Sequence, residues 1–210
     1  MNSPDPDFLR VWAALGARGD PATVFGELAT RYAEAARAYH TLEHVRDCLR
    51  EFELVRHLAM DPEAVEAALW FHDAVYDPRG KENEARSAAL MRRALAGVSG
   101  PRLSAIEEAI LATRHAGPPP AGDPALVVDL DLAVLGEEPV RFDRYEALIR
   151  REYAFVPGPL FRKKRAAVLA SFLARPALYT TPQLRERFEA RARANLARSL
   201  RRLGGAEQRT

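Results

Sequence analysis

The chain has 210 residues, 48% hydrophobic and 29% charged, with a formal net charge of +2. That is the composition of an ordinary soluble globular protein, large enough to bury a real core, and the small net charge gives no ground for a nucleic-acid binder. One cysteine excludes an intramolecular disulfide and a cysteine-built structural zinc knot, and it fits a reducing compartment, expected to be the cytoplasm.

The N-terminal stretch MNSPDPDFLR has no basic start followed by an apolar run, so no signal peptide is expected. No run of about 18 apolar residues occurs, so no membrane span is expected. From there the sequence is rich in Ala, Leu, Arg and Glu, with little strand-like alternation. DFLRVWAALGARG predicts a first helix that stops at a glycine. Pro21 opens a second, PATVFGELATRYAEAARAY. TLEHVRDCLREFELVRHL is a third, with Leu42, Val45, Leu49, Phe52 and Leu58 at helical spacing. Asp61-Pro62 starts a fourth in the arrangement of cap then proline, and it runs to the FHD word.

AVYDPRGKEN then reads as a loop, followed by helices over EARSAALMRRALAG and PRLSAIEEAILATRHA. GPPPAGDP is a proline-rich loop. ALVVDLDLAVLG reads as a strand from its Val-Val and alternating Asp, or as a helix from its length and surroundings; helix is the preferred reading. EEPVRFDRYEALIRREY, LFRKKRAAVLASFLA and PQLRERFEARARANLARSLRRL complete the set, the last capped by Thr181-Pro182. The expectation is an all-α single helical bundle of roughly ten helices. One domain spans 1–210, with its core at about 20–175 and the amphipathic helix 181–203 packed on it.

Histidines and carboxylates at helix ends carry the chemistry. Trp70 to Asp73 puts a His-Asp pair at the end of an apolar helix, where an unpaired carboxylate is costly. Together His72 and Asp73 offer the mixed nitrogen and oxygen donors that suit a divalent transition ion. YHTLEH spaces His40 and His44 four apart. If the helix includes His40, both share a face; if Thr41 is the cap, only His44 projects from the first turn. Asp129 and Asp131 lie in an otherwise apolar segment and point to different faces of a helix, so at most one is expected as a ligand. Arg114 and His115 close a helix before the proline loop, where the helix dipole alone would favour them. His57 has no evident partner.

The order His, then His-Asp, then Asp, all on helices, resembles the HD superfamily of metal-dependent phosphohydrolases. The words YHTLEHV, FHDAVYDP, NEARSA, ATRH, DLDLAVLG and ARARANL bring it nearest to a bacterial subgroup described as predicted metal-dependent HD phosphohydrolases. The resemblance runs from about Tyr32 to Leu196. It implies His44, His72 and Asp73 as metal ligands, with Asp129 or Asp131 as the fourth and a slight preference for Asp129. It implies a role behind the ligands or at phosphate for His115 and for His40. The cofactor would be a divalent ion: Mn, Mg, Co, Ni, Fe or Zn.

The activity so implied is hydrolysis of a small, nucleotide-like phosphate ester by metal-activated water, with Asp73, Glu84 and His115 as catalytic candidates. Glu84 reads as base or water-orienter, or as a first-turn Glu behind an Asn83 cap, and Ser87 as a residue on the same side. Lys81, Arg86 and Arg114 are candidate phosphate contacts, and AVYDPRGKEN and GPPPAGDP candidate pocket walls. The alternatives are an inactive HD-fold ligand-binding or regulatory protein, and a di-iron HD-type oxygenase that uses the extra histidines. The partner is a small phosphorylated substrate; no membrane is expected and an oligomer is possible. Nucleic acid is disfavoured, because the seven Arg between Arg185 and Arg202 interleave with Glu186 and Glu189 over an apolar stripe.

Overall fold

Proline and acidic caps set most helix starts in the computed structural model, which describes residues 3–115 and 120–205. Ten α-helices and no strand form among these residues, the all-α architecture expected from the composition. No helix among the described residues is long and apolar enough to cross a membrane. The chain divides into two units, 1–131 and 132–210.

In the first unit, α1 (Pro6–Leu15) is capped by the Asp5 carboxylate and closed by Gly16 at φ 68°. That left-handed conformation suits glycine, and its amide returns to the carbonyls of Trp12 and Ala13. Asp20 caps α2 (Pro21–Tyr32). This helix ends seven residues before the Tyr39 expected from its alanine-rich sequence. Tertiary contacts override propensity here: Tyr32 is buried with its hydroxyl donating to the Trp70 carbonyl, and Arg37 turns inward onto other segments. Thr41 caps α3 (Leu42–Val55). His40 therefore lies outside the helix, which decides between the two sequence readings. A 3-10 turn, Arg56–Leu58, takes up what the sequence suggests as the last turn of the same helix.

The axis of this unit is α4 (Pro62–Phe71), buried continuously from Ala64 to Phe71. A helix apolar nearly all round must be enclosed on all sides, and α1, α3, α5 (Asn83–Ala94), α6 (Gly100–Ala112) and α7 (Asp123–Asp131) all pack on it. Trp70 meets Phe8 edge-on at 5.5 Å and Phe25 at 6.0 Å, and fixes the end of α4 in an aromatic cluster. The start of α4 is tied down twice. Its cap Asp61 takes a forked pair of 2.6 Å hydrogen bonds from Arg102, and Asp123 at the start of α7 accepts the amides of Met60 and Asp61. These contacts set the register of α7 against α4.

The helical reading of 125–136 is correct up to Asp131, after which a 3-10 turn (Leu132–Gly136) follows in the second unit. There α8 (Pro139–Glu152), α9 (Gly158–Leu173) and α10 (Pro182–Gly205) assemble around Phe142, Leu169, Phe188, Ala192 and Leu196. Gly136 lets α10 approach closely: a Cβ there would lie 2.5 Å from Phe188 Cβ. Asn195, buried, donates to the carbonyls of Leu135 and Glu137. Several arginines of α10 hold backbone carbonyls: Arg185 that of Tyr179, Arg191 that of Gly136, and Arg193 those of Leu173, Arg175 and Pro176.

Candidate metal centre

The exit of α4 presents His72 and Asp73, the first turn of α3 presents His44, and the last residue of α7 is Asp131. One donor atom from each lies within 4.8 Å of all the others. His44 and His72 are buried; the two aspartate side chains keep 15% exposure, so the cluster opens to solvent on its carboxylate side. His44 Nε2 stands 3.2 Å from His72 Nε2 and 3.1 Å from Asp131 Oδ1. His72 Nε2 stands 3.2 Å from Asp73 Oδ2. His72 Nδ1 lies 2.9 Å from the Leu69 carbonyl and donates to it, which directs the Nε2 lone pair into the cluster.

Electrostatics follow from these contacts. Burial opposes charge on His72, but Asp73 and Asp131 outweigh it and hold the imidazole well above its ordinary value. Burial also pushes the Asp73 carboxyl up, and the charges of His72 and His40 override it, so the group stays ionised well below the usual range. Asp131 is lowered in the same way: hydrogen bonds from His115, His44 and His72 overcome its burial.

The donor set is one that could hold a divalent cation. With one proton on His44 Nε2, the His72 lone pair faces Asp73 Oδ2 at 3.2 Å. With one proton on His72 Nε2, the His44 lone pair faces Asp131 Oδ1 at 3.1 Å. With both protonated, the two N–H groups stand 3.2 Å apart while each also faces a carboxylate oxygen, Asp131 Oδ1 at 3.1 Å and Asp73 Oδ2 at 3.2 Å. A cation among the four atoms accepts every lone pair at once, and two imidazoles with two carboxylates form a set matched to first-row transition ions. Four His and Asp residues that can hold a metal ion thus stand together in an all-helical protein.

Of the two late aspartates, Asp131 converges on the cluster. Asp129, the residue slightly preferred from sequence, is fully buried and stands outside the converging group. The two-residue offset explains it: about 200° around α7 separates their side chains. His115 lies behind Asp131, with Nε2 3.0 Å from the outer oxygen Oδ2. It holds this place at φ 55°, a left-handed conformation costly for a non-glycine residue. His40 stacks on Tyr76 at 4.0 Å between ring centroids.

The remaining candidates lie outside the four-residue group. Glu84 is part-buried and paired with Arg114 at 3.7 Å. Arg114, Lys81 and Arg86 are exposed. Asn83 is not the α5 cap; its amide instead closes the preceding loop, bonding both the amide and the carbonyl of Asp77. Ser87 is buried and bonds the Val75 backbone in both directions. The proposed pocket loop GPPPAGDP falls partly on residues 117–119, outside the described residues.

Sequence reasoning missed two neighbours. Cys48 packs its Sγ 3.7 Å from His44 Nδ1, one helical turn away. Arg37 holds the backbone on both sides of the site. A lone Arg in the alanine run before His40 is the one signal the sequence offers for it. Comparison with known proteins finds no matching family model, no matching curated protein and no matching solved structure.

Proposed function

We propose that the chain is a metal-dependent phosphohydrolase of the HD superfamily that cleaves a small phosphate ester. The observation that carries this reading is the convergence of His44, His72, Asp73 and Asp131, residues that the sequence gives in the order His, His-Asp, Asp. These four would hold the ion, and the imidazole pair favours Mn, Fe, Co, Ni or Zn over Mg. A bound divalent ion supplies charge neutralisation for a phosphoryl oxygen and lowers the pKa of a coordinated water.

The chain's own groups do the rest. Leu69 fixes the tautomer of His72. His115 donates to Asp131 Oδ2 and keeps that carboxylate ionised and turned toward the histidines. Arg114, next to His115 in the chain and exposed, is the candidate phosphate contact, and its partner Glu84 the candidate proton acceptor at the rim.

The test is hydrolysis of p-nitrophenyl phosphate and a panel of nucleotides by chelated protein reconstituted with Mn²⁺, Co²⁺, Ni²⁺ or Mg²⁺. Activity should return with at least one of the transition ions and be absent in Asp73→Ala. Hydrolysis that persists in the chelated Asp73→Ala protein would contradict the proposal.

A further inference from the structure

One buried cation beside the cluster touches none of its side chains. Arg37 has a side chain with 0% exposure. Its Nη1 donates to the His40 carbonyl at 3.0 Å and the Asp73 carbonyl at 2.6 Å, and its Nη2 to the Ala74 carbonyl at 3.1 Å. Nε faces Glu34 at 3.3 Å. The guanidinium lies 5.1 Å from the Tyr32 ring centroid and 5.7 Å from that of Tyr76, the ring on which His40 stacks.

Those carbonyls belong to the two segments that deliver three of the four donors. His40 immediately precedes Thr41, the cap of α3, and so sets where His44 enters the cluster. Asp73 is itself a donor, and Ala74 follows it. An arginine that merely ended a helix would bond one segment. This one bridges backbone at residues 40 and 73, and does so with a planar fork whose geometry a lysine does not reproduce.

We propose that Arg37 is the positioning residue of the metal centre, fixing the His44 segment against the His72-Asp73 segment through their backbone carbonyls. The proposal rests on the metal reading above, and its test separates the two. The probe is Co²⁺, followed by its visible absorption and by calorimetry, on chelated parent, R37Q, R37K and R150Q. All are measured at a temperature where circular dichroism shows each fully folded. Arg150 is the control: it also holds two carbonyls, those of Tyr153 and Val156, in the second unit.

The expected result is about 10- to 100-fold weaker Co²⁺ binding with an altered visible spectrum in both Arg37 variants, and R150Q within about twofold of the parent. R37K keeps the charge and serves if R37Q does not fold. Arg37 variants that bind Co²⁺ as the parent does overturn the inference, as does an equal loss in R150Q, which would mark general destabilisation. A parent that fails to bind Co²⁺ overturns the metal reading, and the inference with it.

Discussion

Two acidic sites, one buried in the middle of α4 and one part-buried at its exit, are neutralised differently. Glu66, in the middle of α4, is 1% exposed and takes hydrogen bonds from Arg10 at 2.7 and 2.8 Å and from Arg56 at 2.7 Å. At the exit of that helix, seven residues on, Asp73 meets Asp131 from α7, and the two find only imidazoles as ion-pair partners among the described residues. Glu66 has permanent cations built into the fold. The His-Asp cluster has imidazoles instead, whose ring nitrogens can carry a proton or bind a metal ion. The first pairing is complete within the fold, and the second leaves donors that could hold a metal ion.

Substitutions at the second site should cost binding, and those at the first should cost stability. The largest effect is expected from Asp131→Ala, which should weaken Co²⁺ or Mn²⁺ binding by at least about 100-fold by calorimetry while the far-ultraviolet dichroism stays helical. At the other site, Arg56→Ala removes one of the two guanidinium groups that neutralise the buried Glu66. It should lower unfolding stability by about 2 kcal/mol in urea titration and leave the metal dissociation constant unchanged. A reversal of these two patterns would break the distinction between the sites.

The pH dependence sharpens it further. His72 is raised in the folded protein, so its contribution to apo stability is complete below about pH 6.5, the ordinary histidine value, and is lost as pH rises through the folded value. Asp73 and Asp131 are lowered, so their contribution is present above about pH 4 and is lost as pH falls through their folded values. A metal competes with the His72 proton, so affinity should climb by up to about tenfold per pH unit until His72 is deprotonated. Thermal melts with and without Mn²⁺ between pH 5.5 and 8.5 should show a metal-induced rise in Tm that grows with pH, and a flat difference would count against the site.

The smallest effect is expected at His115. His115→Gly relieves a left-handed backbone costing about 1 kcal/mol but removes the partner of Asp131 Oδ2. Tm should move little while metal affinity drops about tenfold.

Helix content was legible in the sequence because Ala, Leu, Arg and Glu at 3.6-residue spacing leave little else to form. The starts of α2 and α4 were legible too, at Pro21 and at the acidic cap and proline of Asp61-Pro62, whereas α1 begins at Pro6, one residue before the Asp7 expected. The premature end of α2 was not, since its cause, the burial of Tyr32 and Arg37, lies in residues far along the chain. At the site, His44, His72 and Asp73 stood out as polar groups at the ends of apolar helices. The choice between Asp129 and Asp131 depends on how α7 is rotated, and contacts such as Asp123 with the start of α4 set that rotation. Arg37 was marked only by its place in an alanine run, because it acts through carbonyl groups, which every residue has.

The most direct test of the central claim is anomalous scattering from a crystal soaked in Mn²⁺. The account predicts one strong peak with His44 Nε2, His72 Nε2 and carboxylate oxygens of Asp73 and Asp131 all at about 2.0–2.3 Å from it. A fully occupied ion bound elsewhere, with these four side chains unmoved and without a peak among them, would contradict it.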